Sequence, residues 1–207
     1  MRYFCVQTGI ELKKQLNSLR KEFFRKTIHI CTAFVPLFLH IARLPAILCL
    51  GVAGVFYIIS EALRSNGYEI PLISDITAAA ARKRDENKFV LGPVTLVAGI
   101  IAAIFLWNPK AASVGIFALA FGDGLASLAG KTFGKIRIPY THGKTVAGSL
   151  TCFAAIFISA WCVTQSTFSS LVIACAGVLI EVFPLKDFDN LLIPVLLGGL
   201  ACLMGIS

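Results

Sequence analysis

The chain has 207 residues, of which 57% are hydrophobic and only 14% charged, with a mean hydropathy of +0.82. This excludes an ordinary soluble domain. The formal net charge of +8 follows the pattern of a membrane topology signal, so no nucleic-acid partner is expected.

In chain order, the basic segment 1–26 comes first. Its Ile10, Leu12, Leu16, Leu19, Phe23 and Phe24 fall on one helical side, which predicts a short amphipathic helix in the membrane interface. It has no apolar stretch before a small-residue cleavage site, so it is expected to stay attached. Mostly apolar runs follow at 27–42, 44–61, 89–107, 111–130, 145–164, 168–185 and 190–206, each near the length a helix needs to cross the hydrocarbon. The predicted fold class is therefore all-α and polytopic, with 27–207 a single transmembrane catalytic domain of about seven helices. Six is the fallback, because 27–42 is short and 111–130 contains Gly and Asp, as a re-entrant or broken helix would. The seven cysteines, Cys5, Cys31, Cys49, Cys152, Cys162, Cys175 and Cys202, lack metal-ligand spacing and read as packing residues.

Of the 19 lysines and arginines, seven precede the first run, five lie in 62–88, four in 131–144 and one in 186–189. Seven spans would put all of these on one face, which the positive-inside rule makes cytoplasmic, with the N-terminus. Arg43 and Lys110 alone fall on the other face. The acids Glu61, Asp123, Glu181 and Asp189, with His29, gather at cytoplasmic depth, and only His40 lies in the outer half. A transporter would place ionisable groups at the midplane and on both approaches. This one-sided distribution instead points to an enzyme at the inner leaflet.

The stretch 122–149, GDGLASLAGKTFGKIRIPYTHGKTVAGS, holds six glycines, four lysines and arginines and one carboxylate. Glycines admit close backbone approach, lysines neutralise phosphates, and a carboxylate holds Mg²⁺ that bridges phosphate oxygens. Gly122, Gly124, Gly130, Gly134 and Gly148 with Lys131, Lys135 and Lys144 thus form a candidate phosphate site. Thr145 and Ser149, at the start of the next span, would add helix N–H groups. A P-loop is excluded, because Ile138 and Leu125 stand where its first glycine belongs. The CDP-alcohol phosphotransferases are disfavoured too, since DGLASL lacks their arginine and no further acids follow at their spacing.

Asp123 is the leading metal ligand, with a structural carboxylate paired to lysine as the plainer alternative. Glu181 and Asp189, with Asn190, could hold a second metal or accept a substrate proton, or Asp189 could simply cap a helix. Arg25 and Lys26 suit phosphate contact or topogenic charge, and Glu61 with Arg64 suits a local ion pair.

The blocks RKTIH (25–29), EALR (61–64), GDGLASLAGKTFGK (122–135), GKTVAGS (143–149) and EVFPLKDFDNLLIP (181–194) resemble the CTP-dependent lipid-alcohol kinases. These include dolichol, phytol, farnesol and CTP-dependent diacylglycerol kinases and are distantly similar to phosphatidate cytidylyltransferases. The resemblance implies a multi-span helical enzyme that moves the γ-phosphate of CTP to a lipid hydroxyl with a divalent metal such as Mg²⁺. It favours phosphate contact for Arg25 and Lys26. One departure is Ala147, where family members commonly have glutamate. The rival readings are a cytidylyltransferase making a CDP-lipid and a non-catalytic transporter or scaffold.

Overall fold

The computed structural model describes residues 2–68, 89–141, 143–183 and 187–206, with first-helix side chains described from residue 16 onward except 18. The basic loop 69–88, and with it Arg82, Lys83, Arg84 and Lys88, lies outside the described residues. The elements are α1 (Arg2–Cys31), a 3₁₀ turn (Thr32–Phe34), α2 (Val35–Ile41), α3 (Arg43–Ser65), α4 (Gly92–Leu106) and α5 (Pro109–Phe117). A π-helical turn (Ala118–Asp123) leads into α6 (Gly124–Phe133), then α7 (Val146–Thr164), α8 (Thr167–Val182) and α9 (Asp189–Leu203). Among the described residues the only β feature is an isolated bridge, Arg137 with Thr145.

Local chemistry explains most of the boundaries. Proline, which needs no N–H partner in a first helical turn, stands at the starts of α2, α4 and α5. Side-chain oxygens of Asn108, Thr145 and Ser166 cap α5, α7 and α8 by accepting the N–H of Ala111, Gly148 and Ser169. Gln165, left-handed at φ 54°, ends α7 and turns the chain into α8.

Three helical stretches, Arg43–Ser65, Pro109–Phe133 and Val146–Thr164, are long and apolar enough to cross a membrane, and Gly92–Leu106, Thr167–Val182 and Asp189–Leu203 are shorter apolar helices. On α3 the side chains of Leu44, Leu48, Val52, Val55, Phe56 and Ile59 all point outward, as expected of a helix whose solvent is hydrocarbon. The run 111–130 is one helical stretch broken in pitch rather than direction. The run 27–42 is not one helix: it comprises the end of α1, the 3₁₀ turn and α2. The predicted short interfacial helix is part of α1, which continues unbroken for 30 residues because nothing between 24 and 31 interrupts it. The first breaker, Pro36, comes later.

Helix α9 packs on α4, α5 and α8. Pro194, inside α9, cannot donate to the Asn190 carbonyl one turn back. There α4 comes closest: a Cβ on Gly99 would lie 2.4 Å from that oxygen, and one on Gly115 of α5 would lie 2.2 Å from the Pro194 oxygen. Trp107 lies across Gly198 and Gly199 and donates its indole N–H to the Val195 carbonyl at 2.9 Å. Around these contacts Ile100, Ile104, Leu119, Ile156, Ile173 and Leu197 form a closed apolar core.

Gly115→Ala should therefore force α5 from α9 and lower stability by about 1–3 kcal/mol, read as a lower thermal midpoint in detergent. Gly51→Ala on α3, with nothing within 4 Å of the added methyl, should leave the midpoint unchanged or raise it.

Candidate active site

Two antiparallel polar stripes build the site's first half. On α1, Glu22, Lys26 and His29 recur every three or four residues; on the π turn and α6, Asp123, Ser127 and Lys131 recur every four, so each set occupies one helical face. Lys26 donates to the Asp123 carboxylate, and both side chains are almost completely buried. The His29 Nδ1 lies 3.3 Å from the same Asp123 oxygen. Gly124 lets α1 approach, since a Cβ there would be 3.1 Å from Ile30.

Lower on the same face, Glu22 accepts from Arg25, Ser127 and Lys131, each at 2.5 Å. Burial alone would raise the Glu22 carboxyl, but Arg25, Lys131, Ser127 and Lys26 together lower it from 4.5 to about 2. Sequence reasoning missed Glu22, which looks like an ordinary solvated acid among lysines. Its spacing from Lys26 and His29, matched by Asp123, Ser127 and Lys131, was the available signal.

The second half belongs to α7 and α8. Lys144 donates to Glu181 at the end of α8, and the Ser149 hydroxyl donates to the other Glu181 oxygen at 3.3 Å. The buried Cys152 of α7 packs against Gly122, the neighbour of Asp123, and lies one turn beyond Ser149, which reaches Glu181. The buried Lys26–Asp123 pair and the Lys144–Glu181 pair, whose lysine is part-exposed, therefore flank the same stretch of α7.

Several predicted ligand-facing groups have helix-packing roles. A Cβ on Gly130 or Gly134 would lie 2.9 or 2.5 Å from Thr145 Oγ1, one on Gly148 would lie 2.9 Å from the Ala126 carbonyl oxygen, and one on Gly122 would lie 2.7 Å from Ile156. These glycines hold α6 against α7. The start of α7 is largely satisfied within the protein, because Val146 N–H donates to the Ile136 carbonyl and Gly148 N–H to Thr145. Lys135 is exposed on the loop between α6 and α7.

Asp189 accepts from the Asn190 N–H at 2.9 Å, while the Asn190 side-chain amide bridges to Gly92 and Thr95 of α4. Among the described residues no three His, Cys, Asp or Glu side chains converge as a metal cage. Glu61 is fully buried, accepting both guanidinium bonds of Arg64 and the Val90 N–H. That is the predicted local pair, extended to tie α3 to the chain entering α4.

Glu22→Gln should destabilise the fold by about 1–3 kcal/mol, since it removes a buried carboxylate that accepts from Ser127 and from the part-exposed Arg25 and Lys131. Because the folded carboxyl lies below its unfolded value, this contribution is complete above about pH 4.5 and is lost as pH falls toward 2. The gap between wild-type and variant melting temperatures should close over that window.

No protein-family model and no solved structure matches the chain. The chain is 29% identical to an uncharacterized protein of Methanocaldococcus jannaschii, over 86% of this chain and 91% of that one. It is 28% identical to the phytol kinase of Synechocystis, over 89% of this chain and 80% of that enzyme. To the chloroplastic farnesol kinase of Arabidopsis thaliana it is 29% identical, over 58% of this chain and 45% of that longer protein. In line with the resemblance its sequence blocks carry, the chain is similar in sequence to proteins named phytol, farnesol and dolichol kinase.

Proposed function

We propose that this chain is a membrane kinase that transfers the γ-phosphate of CTP to the hydroxyl of a lipid alcohol. The observation that carries the proposal is the buried pair of Asp123 with Lys26 beside Glu181 and its part-exposed partner Lys144, in a chain similar in sequence to lipid-alcohol kinases. Isolated ion pairs at such depth are costly to bury. A site that must receive a polyanion gains by holding lysines there in advance.

The proposed topology has seven crossings with the N-terminus cytoplasmic. The supporting observations are six apolar helical stretches from α3 to α9, the broken segment ending in α2, and the distribution of lysine and arginine. The catalytic cluster then opens to the cytosol, where nucleotide is available, and borders the bilayer, where the alcohol resides. No nucleic acid takes part.

Asp123 is the carboxylate we assign to Mg²⁺. A single buried carboxylate ringed by cations fits an ion that arrives on nucleotide phosphates and keeps phosphate and water as its other ligands; it does not fit an all-protein cage. When bound, the ion would neutralise charge on the phosphates. Asp189 is a second, outlying carboxylate assigned to the same role, with Asn190 fixing the start of α9.

Lys26, Lys131, Lys144 and Arg25 exchange carboxylate partners for phosphate oxygens, with Lys135 at the rim. As Lys144 turns to the nucleotide, Glu181 is released to accept the alcohol proton. The alcohol oxygen bonds to the γ-phosphorus, the bond from that phosphorus to the β-phosphate oxygen breaks, and CDP leaves. Catalysis here is mainly positioning and charge neutralisation.

Purified protein given γ-labelled CTP, Mg²⁺ and farnesol, phytol, a polyprenol or diacylglycerol should label one lipid. Asp123→Asn should reduce that rate by about 10³-fold or more and Lys144→Gln by about 10²-fold. Label arriving only from α-labelled CTP would establish a cytidylyltransferase instead, and no label from either nucleotide would remove the enzymatic reading.

A further inference from the structure

A second cluster of basic side chains lies at the opposite end of the bundle from Asp123. His40 at the end of α2, Arg43 at the start of α3 and Lys110 at the start of α5 line one cavity of about 370 Å³. Its walls are mostly hydrocarbon, from Leu39, Ile104, Ala112, Phe117 and Val163, with Ser113 among them. Arg43 donates to the Ile104 carbonyl at 3.3 Å, which fixes its guanidinium against α4.

Arg43 and Lys110 are the two residues, out of 19 lysines and arginines, that the topology places on the outer face, and both line this cavity. That face offers no neutralising acid: segments 32–55, 100–117, 156–173 and 198–206 contain neither Asp nor Glu. Among the described residues no carboxylate pairs with His40, Arg43 or Lys110. Cations at a membrane surface that have no protein anion, and that sit over a hydrocarbon-lined cleft, match an amphiphile with a negative head and an apolar tail.

From this we infer that the His40–Arg43–Lys110 cavity is a binding site for the headgroup of an anionic phospholipid in the outer leaflet, with its acyl chain along Leu39, Ile104 and Phe117. A free soluble anion would gain nothing from those apolar walls. The site lies apart from the Asp123 cluster and does not depend on the kinase reading. It depends on the topology that places α2, the α4–α5 turn and the end of α7 at one membrane surface.

The test is native mass spectrometry of detergent-purified protein titrated with phosphatidylglycerol, phosphatidylcholine of the same chains, or inorganic phosphate. Phosphatidylglycerol should bind in preference to phosphatidylcholine and should not be displaced by phosphate. Arg43→Gln with Lys110→Gln should weaken it roughly 30-fold. Lys110→Gln alone, at an exposed position, should weaken it about fivefold and serves if the double variant does not fold. Ser113→Trp, which fills the cavity and leaves the basic groups in place, should also lower retention. The inference is overturned if phosphatidylglycerol binds the basic-residue variants as well as wild type, if phosphate displaces it, or if neither lipid is preferred.

Discussion

The buried contact between Lys26 and Asp123 is the constraint on which the rest of the site depends. A carboxylate inside an apolar helix cannot stay charged at membrane depth without a partner, and its partner comes from the first helix, 97 positions earlier in the chain. This pair docks α1 against α6 and fixes the register of the flanking polar contacts. Once Lys26 meets Asp123, Glu22 falls opposite Ser127 and Lys131, and His29 comes beside the same carboxylate. The backbone follows this side-chain logic, and Gly124 is the concession that makes the approach possible.

A second principle organises the opposite side of α6. Gly130, Gly134 and Gly148 remove the side chains that would separate α6 from α7, and Thr145 fills the space they leave. The short loop between the two helices is held by Ile138 N–H to the Lys144 carbonyl and Val146 N–H to Ile136. Lys144 is thereby placed on the rim facing Glu181. Packing and charge are separated along the bundle, with Trp107 over Gly198 and Gly199 locking one end of α9 while the charged cluster lies toward the other.

Much of this was legible in the chain. The apolar runs located the helices because hydrocarbon demands them, Asp123 stood out because a carboxylate in such a run needs a reason, and the Glu61–Arg64 spacing gave a pair that the structure extends to Val90. What could not be read was long-range. Lys144 meets Glu181 across 37 positions, and beyond its local pair with Arg25, Glu22 is held by Ser127 and Lys131, more than 100 positions away. The glycines were ambiguous for a different reason: close approach of a ligand and close approach of a helix both require the absence of a Cβ. The continuity of α1 past residue 26 was hidden by the change from basic to apolar composition, which marks a change of solvent and not a break in the helix.

The π turn at Ala118–Asp123 divides the stretch Pro109–Phe133 into halves that answer to different neighbours. Its extra residue per turn resets the angular phase between α5, whose Gly115 packs on α9, and the end of the π turn and α6, whose Asp123, Ser127 and Lys131 face α1. In an uninterrupted α-helix one phase would have to serve both surfaces, and a rotation that suited the core would turn the carboxylate away from Lys26. The extra width acts as a coupling with adjustable angle inside a single helical stretch, so the core of the bundle can be repacked over generations of substitution without dragging the charged residues out of alignment.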